Sequence, residues 1–160
     1  MSLAAQLLEI ARDRGMTVTA AESCTGGMVA GAITDAAGSS AIFGRGFVTY
    51  ENAAKVEMLG VSEATLAAHG AVSEEVAREM AEGARRAARA DFAVAISGIA
   101  GPGGSERKPE GRVCFALASA TGTQTESAEF GARGRAAVRA AARDHALRLL
   151  IDAAVSLPPK

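Results

Sequence analysis

Ser23, Tyr50 and Lys55 are the residues of this chain whose types and settings suit covalent chemistry. Ser23 sits in Ala21-Glu22-Ser23-Cys24-Thr25-Gly26-Gly27, where the β-branched run Thr17-Val18-Thr19 gives way to hydroxyl residues and two glycines. Strand is favoured before the serine and helix after it, so Ser23 falls on a tight turn at the carboxyl end of a strand. The first N–H groups of a helix lack intrahelical partners and carry the positive end of its dipole. Thr25, Gly26 and Gly27 are therefore expected to offer donors to an anion or oxyanion beside a hydroxyl nucleophile. A hydroxyl residue before a helix also serves as a plain N-cap, and the local pattern leaves both readings open. The turn is not a Gly-x-Ser-x-Gly elbow, since Ala21 and Glu22 precede the serine. Nor is it a P-loop, since no lysine follows the glycines.

The second signal is compositional. Positive charge is supplied by 14 arginines and only three lysines, Lys55, Lys108 and Lys160. Lysine can lose its proton when desolvated, whereas arginine effectively cannot, which makes Lys55 a candidate general base. An ordinary lysine on a short helix fits the local sequence equally well. Tyr50, the only tyrosine, ends a β-prone run five residues before Lys55 and could relay a proton or position a nucleophile. A half-buried aromatic with a satisfied hydroxyl is the plainer reading of Tyr50 alone. Its spacing is not the Tyr-x-x-x-Lys of short-chain dehydrogenases, and no Gly-x-Gly-x-x-Gly follows the first strand, which disfavours hydride transfer to nicotinamide.

Two further segments suit an anionic ligand. Gly98-Ile99-Ala100-Gly101-Pro102-Gly103-Gly104 opens a loop that runs to Gly111 and carries Ser105, Arg107 and Lys108. Its backbone donors at Gly98, Gly101, Gly103 and Gly104 can wrap a phosphate, and its length in a compact domain favours function over a bare connection. Gly131-Ala132-Arg133-Gly134-Arg135 leads into the last helix, with Arg133 taken as a phosphate ligand and a solvated helix start as the alternative. Cys24 reads as a small buried thiol pointing away from the serine's cleft. Two distant cysteines and the isolated His69 and His145 do not make a zinc site, so no metal and no cofactor are expected.

The elements that must hold these residues follow from the same pattern. Leu3, Leu7, Leu8 and Ala11 recur at helical spacing behind Ser2, followed by a strand near 16–21 and a helix from about Thr25 to Asp35. A second strand is expected over Ile42–Tyr50, then short helices starting at Asn52 and Ser62. A longer helix is capped by Ser73, with Glu74 and Glu75 in its first turn. Phe92–Ile96 is almost continuously apolar, as in a strand buried on both faces. Arg112–Ala120 and Thr123–Phe130 read as an antiparallel pair, and a final helix spans about Arg135 to Val155. This order implies one three-layer α/β/α domain over residues 1–160, with a mixed, mostly parallel sheet. The chain of 160 residues is 49% apolar but only 4% aromatic, so small side chains must pack its core closely. A net charge of −1 argues against a nucleic-acid partner. No run approaches the ~18 apolar residues of a membrane span, and no signal peptide opens the chain. The cytoplasm is the expected location.

Taken together, the segments resemble one family. Ala21-Glu22-Ser23-Cys24-Thr25-Gly26-Gly27, Gly38-Ser39-Ser40, Phe47-Val48-Thr49-Tyr50-x-Asn52-x-x-Lys55, His69-Gly70-Ala71-Val72-Ser73, Ser97-Gly98-Ile99-Ala100-Gly101-Pro102-Gly103-Gly104 and Lys108-Pro109-x-Gly111 follow in order. Nearly the whole chain thus resembles the CinA C-terminal domain family, in its stand-alone nicotinamide-nucleotide amidases. Larger family members carry an additional N-terminal domain for which this chain has no room. The resemblance implies hydrolysis of nicotinamide mononucleotide to nicotinate mononucleotide and ammonia without metal. It places Ser23 on the nucleophile, Lys55 on the base and Tyr50 on the assisting tyrosine, and it implies a homodimer or higher homo-oligomer. The rival expectations are a non-catalytic nucleotide-binding or regulatory module, and a related amidase with another substrate.

Overall fold

A computed structural model describes residues 1–105 and 107–160; Glu106, inside the glycine-rich loop, lies outside the described residues. Five strands form one sheet in the order β2-β1-β3-β4-β5. They are β1 (Val18–Glu22), β2 (Phe47–Val48), β3 (Phe92–Gly98), β4 (Arg112–Ser119) and β5 (Gly122–Glu129). β2, β1 and β3 run parallel, and β4 and β5 continue the sheet as an antiparallel meander. The sheet is therefore mixed, with its parallel half carrying the Ser23 turn.

Among the described residues six α-helices cover the two faces: α1 (Leu3–Asp13), α2 (Met28–Asp35), α3 (Asn52–Leu59), α4 (Glu63–His69), α5 (Glu74–Ala88) and α6 (Arg135–Ser156). On one face α1, α2 and α6 bury Leu7, Val29, Ile33, Val138 and Leu150 against Val18, Ala20, Val94 and Phe115. On the other, α5 lays Val76, Ala77, Met80 and Ala84 on Ala93, Ala95, Cys114 and Ala116, with the end of α3 beside them. That second layer is thin because its residues are small. A Cβ on Gly83 would overlap the carbonyl oxygen of Leu59, so α3 and α5 touch backbone to backbone.

Local chemistry sets the ends of the helices. Ser2, Ser62 and Ser73 cap α1, α4 and α5 with their hydroxyls. Glu74 and Glu75 begin α5 and Arg85 and Arg86 end it, each complementing the helix dipole. Arg14 reaches from the end of α1 to the last carbonyls of α6, donating to Ala154, Val155 and Leu157. Two boundaries differ from the sequence expectation. Strand β2 has two residues rather than nine, because Gly44 and Gly46 interrupt it; Phe43 makes only an isolated bridge to Val18. Helix α2 starts at Met28, three residues after the expected Thr25, since Gly27 takes a left-handed conformation with φ of 109°.

The connection from β1 to β2 runs over the α2 face, and that from β2 to β3 over the α3–α5 face. The carboxyl end of β1 is thus the point where the chain changes direction across the sheet, where open α/β sheets form their crevices. At the opposite pole, the Asp91 carboxylate accepts from the N–H groups of Thr17 (2.9 Å) and Lys160 (2.7 Å). It thereby ties the chain's last residue to the bottom of β1. No helix among the described residues is long and apolar enough to cross a membrane.

Candidate active site

Alternation along β1 decides where its side chains go. Ala20 and Glu22 face the α2 layer, whereas Ala21 and Ser23 face the α3–α5 layer. Ser23 is held at its N–H by the Ile96 carbonyl (2.9 Å), continuing the β1–β3 pairing for one more residue. Across the crevice, α3 buries Lys55 to 1% exposure, and its Nζ lies 3.2 Å from Ser23 Oγ. The same Nζ is 2.9 Å from the Thr49 carbonyl and 3.2 Å from that of Tyr50. Two of these partners are main-chain oxygens, so the backbone after β2 aims the amine at the serine.

A cavity of about 320 Å³ opens over this contact, a volume in the range of small-molecule sites. Ser23, Cys24 and Lys55 line it together with Ser97 and Gly98 at the end of β3, Gly101 beyond it, and Tyr50 and Arg135 at the mouth. Arg135 Nη2 donates to the Tyr50 hydroxyl at 2.7 Å, and its Nη1 donates to the Gly101 carbonyl at 2.8 Å. One guanidinium thus joins the segment after β2, the glycine-rich loop and the start of α6. Ser97 donates its hydroxyl proton to the Ala71 carbonyl (2.8 Å), fixing the wall opposite α6.

The expected residues separate into two groups. Ser23, Tyr50, Lys55, Gly98 and Gly101 line the cavity. Tyr50 is 60% exposed, and it is the main-chain carbonyl of Tyr50, not its phenol, that meets Lys55. Thr25, Gly26, Gly27, Gly103 and Gly104 are not among the lining residues. Gly26 donates to the Ser23 carbonyl, Gly27 to the Glu22 carboxylate and Gly103 to the Glu110 carboxylate. The N–H groups expected to meet an anion at Gly26 and Gly27 are thus already engaged. Among the described residues, those of Cys24 and Thr25 have no backbone acceptor. The Thr25 hydroxyl is itself buried without a hydrogen-bond partner, as is that of Thr49. Arg133 lies outside the cavity, its guanidinium carbon 5.9 Å from the Phe130 ring centroid, and Arg135 two residues later takes the lining position. Ser97 and Asn52, quoted in the family motifs but given no role there, also line the cavity.

Cys24 is packed into the α2 layer and is 5% exposed. Burial pushes its thiol up to about 11, against a smaller pull downward from the N–H groups of Cys24 and Gly98 and from Arg139. A thiol so protonated is no competitor to Ser23 as nucleophile. A larger recess of about 640 Å³ lies between α5 and the outer strands. Its charges answer one another: Glu74 accepts from Thr125 and Ser127, Arg112 pairs with Glu129, and His69 lies 3.3 Å from Glu75. The smaller cavity instead sets a serine hydroxyl against a buried amine.

The family model described as the CinA C-terminal domain matches residues 1–154. A curated relative, the nicotinamide-nucleotide amidohydrolase PncC of Escherichia coli K12, is 60% identical over 151 residues, covering 94% of this chain and 92% of that one. Among solved structures, the competence/damage inducible protein CihA of Agrobacterium tumefaciens superposes with a TM-score of 0.91 at 48% identity, covering 94% of this chain and 92% of its own. The competence damage-inducible protein A of Klebsiella pneumoniae gives 0.93 at 38% identity, covering 97% and 96%.

Proposed function

The chain belongs to the CinA C-terminal domain family, and from that premise we propose that it is a nicotinamide-nucleotide amidohydrolase. It hydrolyses the carboxamide of nicotinamide mononucleotide to nicotinate mononucleotide and ammonia. The observation that carries this reading is the buried Lys55 Nζ at 3.2 Å from Ser23 Oγ on the floor of a nucleotide-sized cavity.

A neutral amine has two N–H donors and one lone pair. In that form Lys55 keeps its donations to the Thr49 and Tyr50 carbonyls and turns its lone pair to the serine proton. The serine oxygen attacks the carboxamide carbon, and its proton passes directly to Lys55 without needing the Tyr50 phenol. The N–H groups of Cys24 and Thr25 stabilise the oxyanion. Lys55 returns the proton to the departing nitrogen, which leaves as ammonia; water then attacks the nicotinoyl ester, with Lys55 again as base. Arg135, paired with Tyr50 at the mouth, supplies the charge that meets the ribose phosphate.

Ammonia release from nicotinamide mononucleotide tests this, with nicotinamide and its riboside as controls and chelator present. Turnover confined to the mononucleotide is expected, with loss of at least ~10³-fold in Ser23→Ala and Lys55→Met. Nicotinate mononucleotide should still raise the melting temperature of Ser23→Ala. Silence of the wild type together with nucleotide-dependent stabilisation would make the domain a binding module instead.

A further inference from the structure

Glu22 takes part in no step of that chemistry, yet it is buried to 1% exposure one residue before the nucleophile. Its main-chain carbonyl accepts from Thr49 N–H at 2.8 Å, fixing its backbone in the sheet. Its side chain crosses to the opposite layer and occupies the start of α2. There Oε1 accepts from Gly27 N–H (3.2 Å) and Val29 N–H (2.9 Å), and Oε2 from Ala30 N–H (3.0 Å). Both oxygens act as acceptors, as those of an ionised carboxylate do. The residue at the cap position, Gly27, has no side chain to cap with, so Glu22 fills that role from five residues upstream.

This arrangement closes the Ser23–Gly27 turn at both ends. Arg139 holds the turn from α6, donating to the Cys24 (3.0 Å) and Thr25 (3.2 Å) carbonyls. N–H groups at the end of the turn are thus drawn to an anion and carbonyls within it to a cation. What is left uncommitted to a backbone acceptor in the turn, among the described residues, is the pair of N–H groups of Cys24 and Thr25 next to the serine hydroxyl. The positive end of the α2 dipole is also occupied from within.

We propose that Glu22 is a positioning residue: its carboxylate sets the turn so that Ser23 Oγ meets Lys55 while the Cys24 and Thr25 N–H groups face the attacked carbonyl. The proposal rests on Ser23 being the nucleophile. A carboxylate that only capped α2 would contribute to stability, whereas a positioning residue governs turnover without governing substrate affinity.

Steady-state ammonia release by wild type, Glu22→Gln, Glu22→Ala and Ser23→Ala, each with a thermal melt, separates these roles. Glutamine keeps the size of the side chain but turns an NH2 group toward backbone donors. Folded Glu22→Gln is expected to lose about 30-fold or more in kcat with KM within about threefold of wild type, as for a nucleophile displaced by a fraction of an ångström. In Glu22→Ala, formate should restore kcat about fivefold or more over chloride of equal ionic strength by returning a carboxylate to the helix end. A Glu22→Gln kcat within threefold of wild type, a loss carried by KM, no response to formate, or failure of both variants to fold would each overturn the proposal. Ser23→Ala distinguishes the two levels. Activity surviving in it defeats the serine reading itself, while a silent Ser23→Ala beside an unimpaired Glu22→Gln defeats only the role given to Glu22.

Discussion

Cys24 and Lys55 are both buried beside Ser23, the first within its turn and the second on α3. Burial disfavours the thiolate of Cys24 and leaves a protonated thiol beside the serine. The thiol gives a measurable consequence. Its value in the folded protein, about 11, lies above the ordinary 9.0, so between those pH values the unfolded chain has released a proton that the native protein retains. Stability from this group is therefore complete below pH 9 and falls as pH rises toward 11, by about 2–3 kcal/mol. Cys24 in the native protein is expected to resist iodoacetamide at pH 8 and to react once denaturant is added, as mass spectrometry of the alkylated peptide would report. Fast native labelling at pH 8 would contradict this. At this scale the sequence was informative where residue type alone constrains the chemistry. A lone tyrosine and a scarce lysine mark themselves. Arg133 and Arg135 do not, because two arginines flanking one glycine look alike until the start of α6 turns one into the cavity and the other onto Phe130.

Among the elements, the contact between α3 and α5 sets the position of Lys55. Lys55 is carried on α3, and α3 is seated where the Leu59 carbonyl meets the bare backbone of Gly83. Gly83→Ala would normally favour a helix by removing backbone freedom. Here its methyl group forces α3 away from α5, and a net loss of about 1–3 kcal/mol is expected from denaturant melts. A fall in kcat should accompany it as Lys55 shifts from Ser23; an unchanged or raised melting temperature would show that the helices part without cost. Apolar periodicity or a serine cap made α1, α4 and α5 readable in advance, because each has a local signal. Strand β2 was overextended for the converse reason. Its apolar run is long enough for a strand, but pairing is settled by the partner β1 and by the glycines within it, neither of which periodicity reports.

For the molecule as a whole, long-range ties join segments that a linear reading keeps apart. Arg14 is an example, since it closes α1 onto the end of α6. Arg14→Ala should lower stability by about 1 kcal/mol, or about 2–4 °C in melting temperature, because a partly exposed charged donor to carbonyls is lost. Its ammonia release should be unchanged at 25 °C, and a large fall in kcat there would mean that strain at this pole reaches the cavity. The α/β/α layering was legible because buried strands and amphipathic helices alternate along the chain, whereas the opposition of the two poles was not. That polarity has a practical side. Lys160 is tied to Asp91 at the foot of β1, while Ser23 stands at its head, roughly 17–20 Å away by the rise of a strand. A biotin, a fluorophore or a solid support attached at Lys160 therefore leaves the mouth of the cavity turned toward the solution, and an immobilised preparation should bind nucleotide as the free protein does.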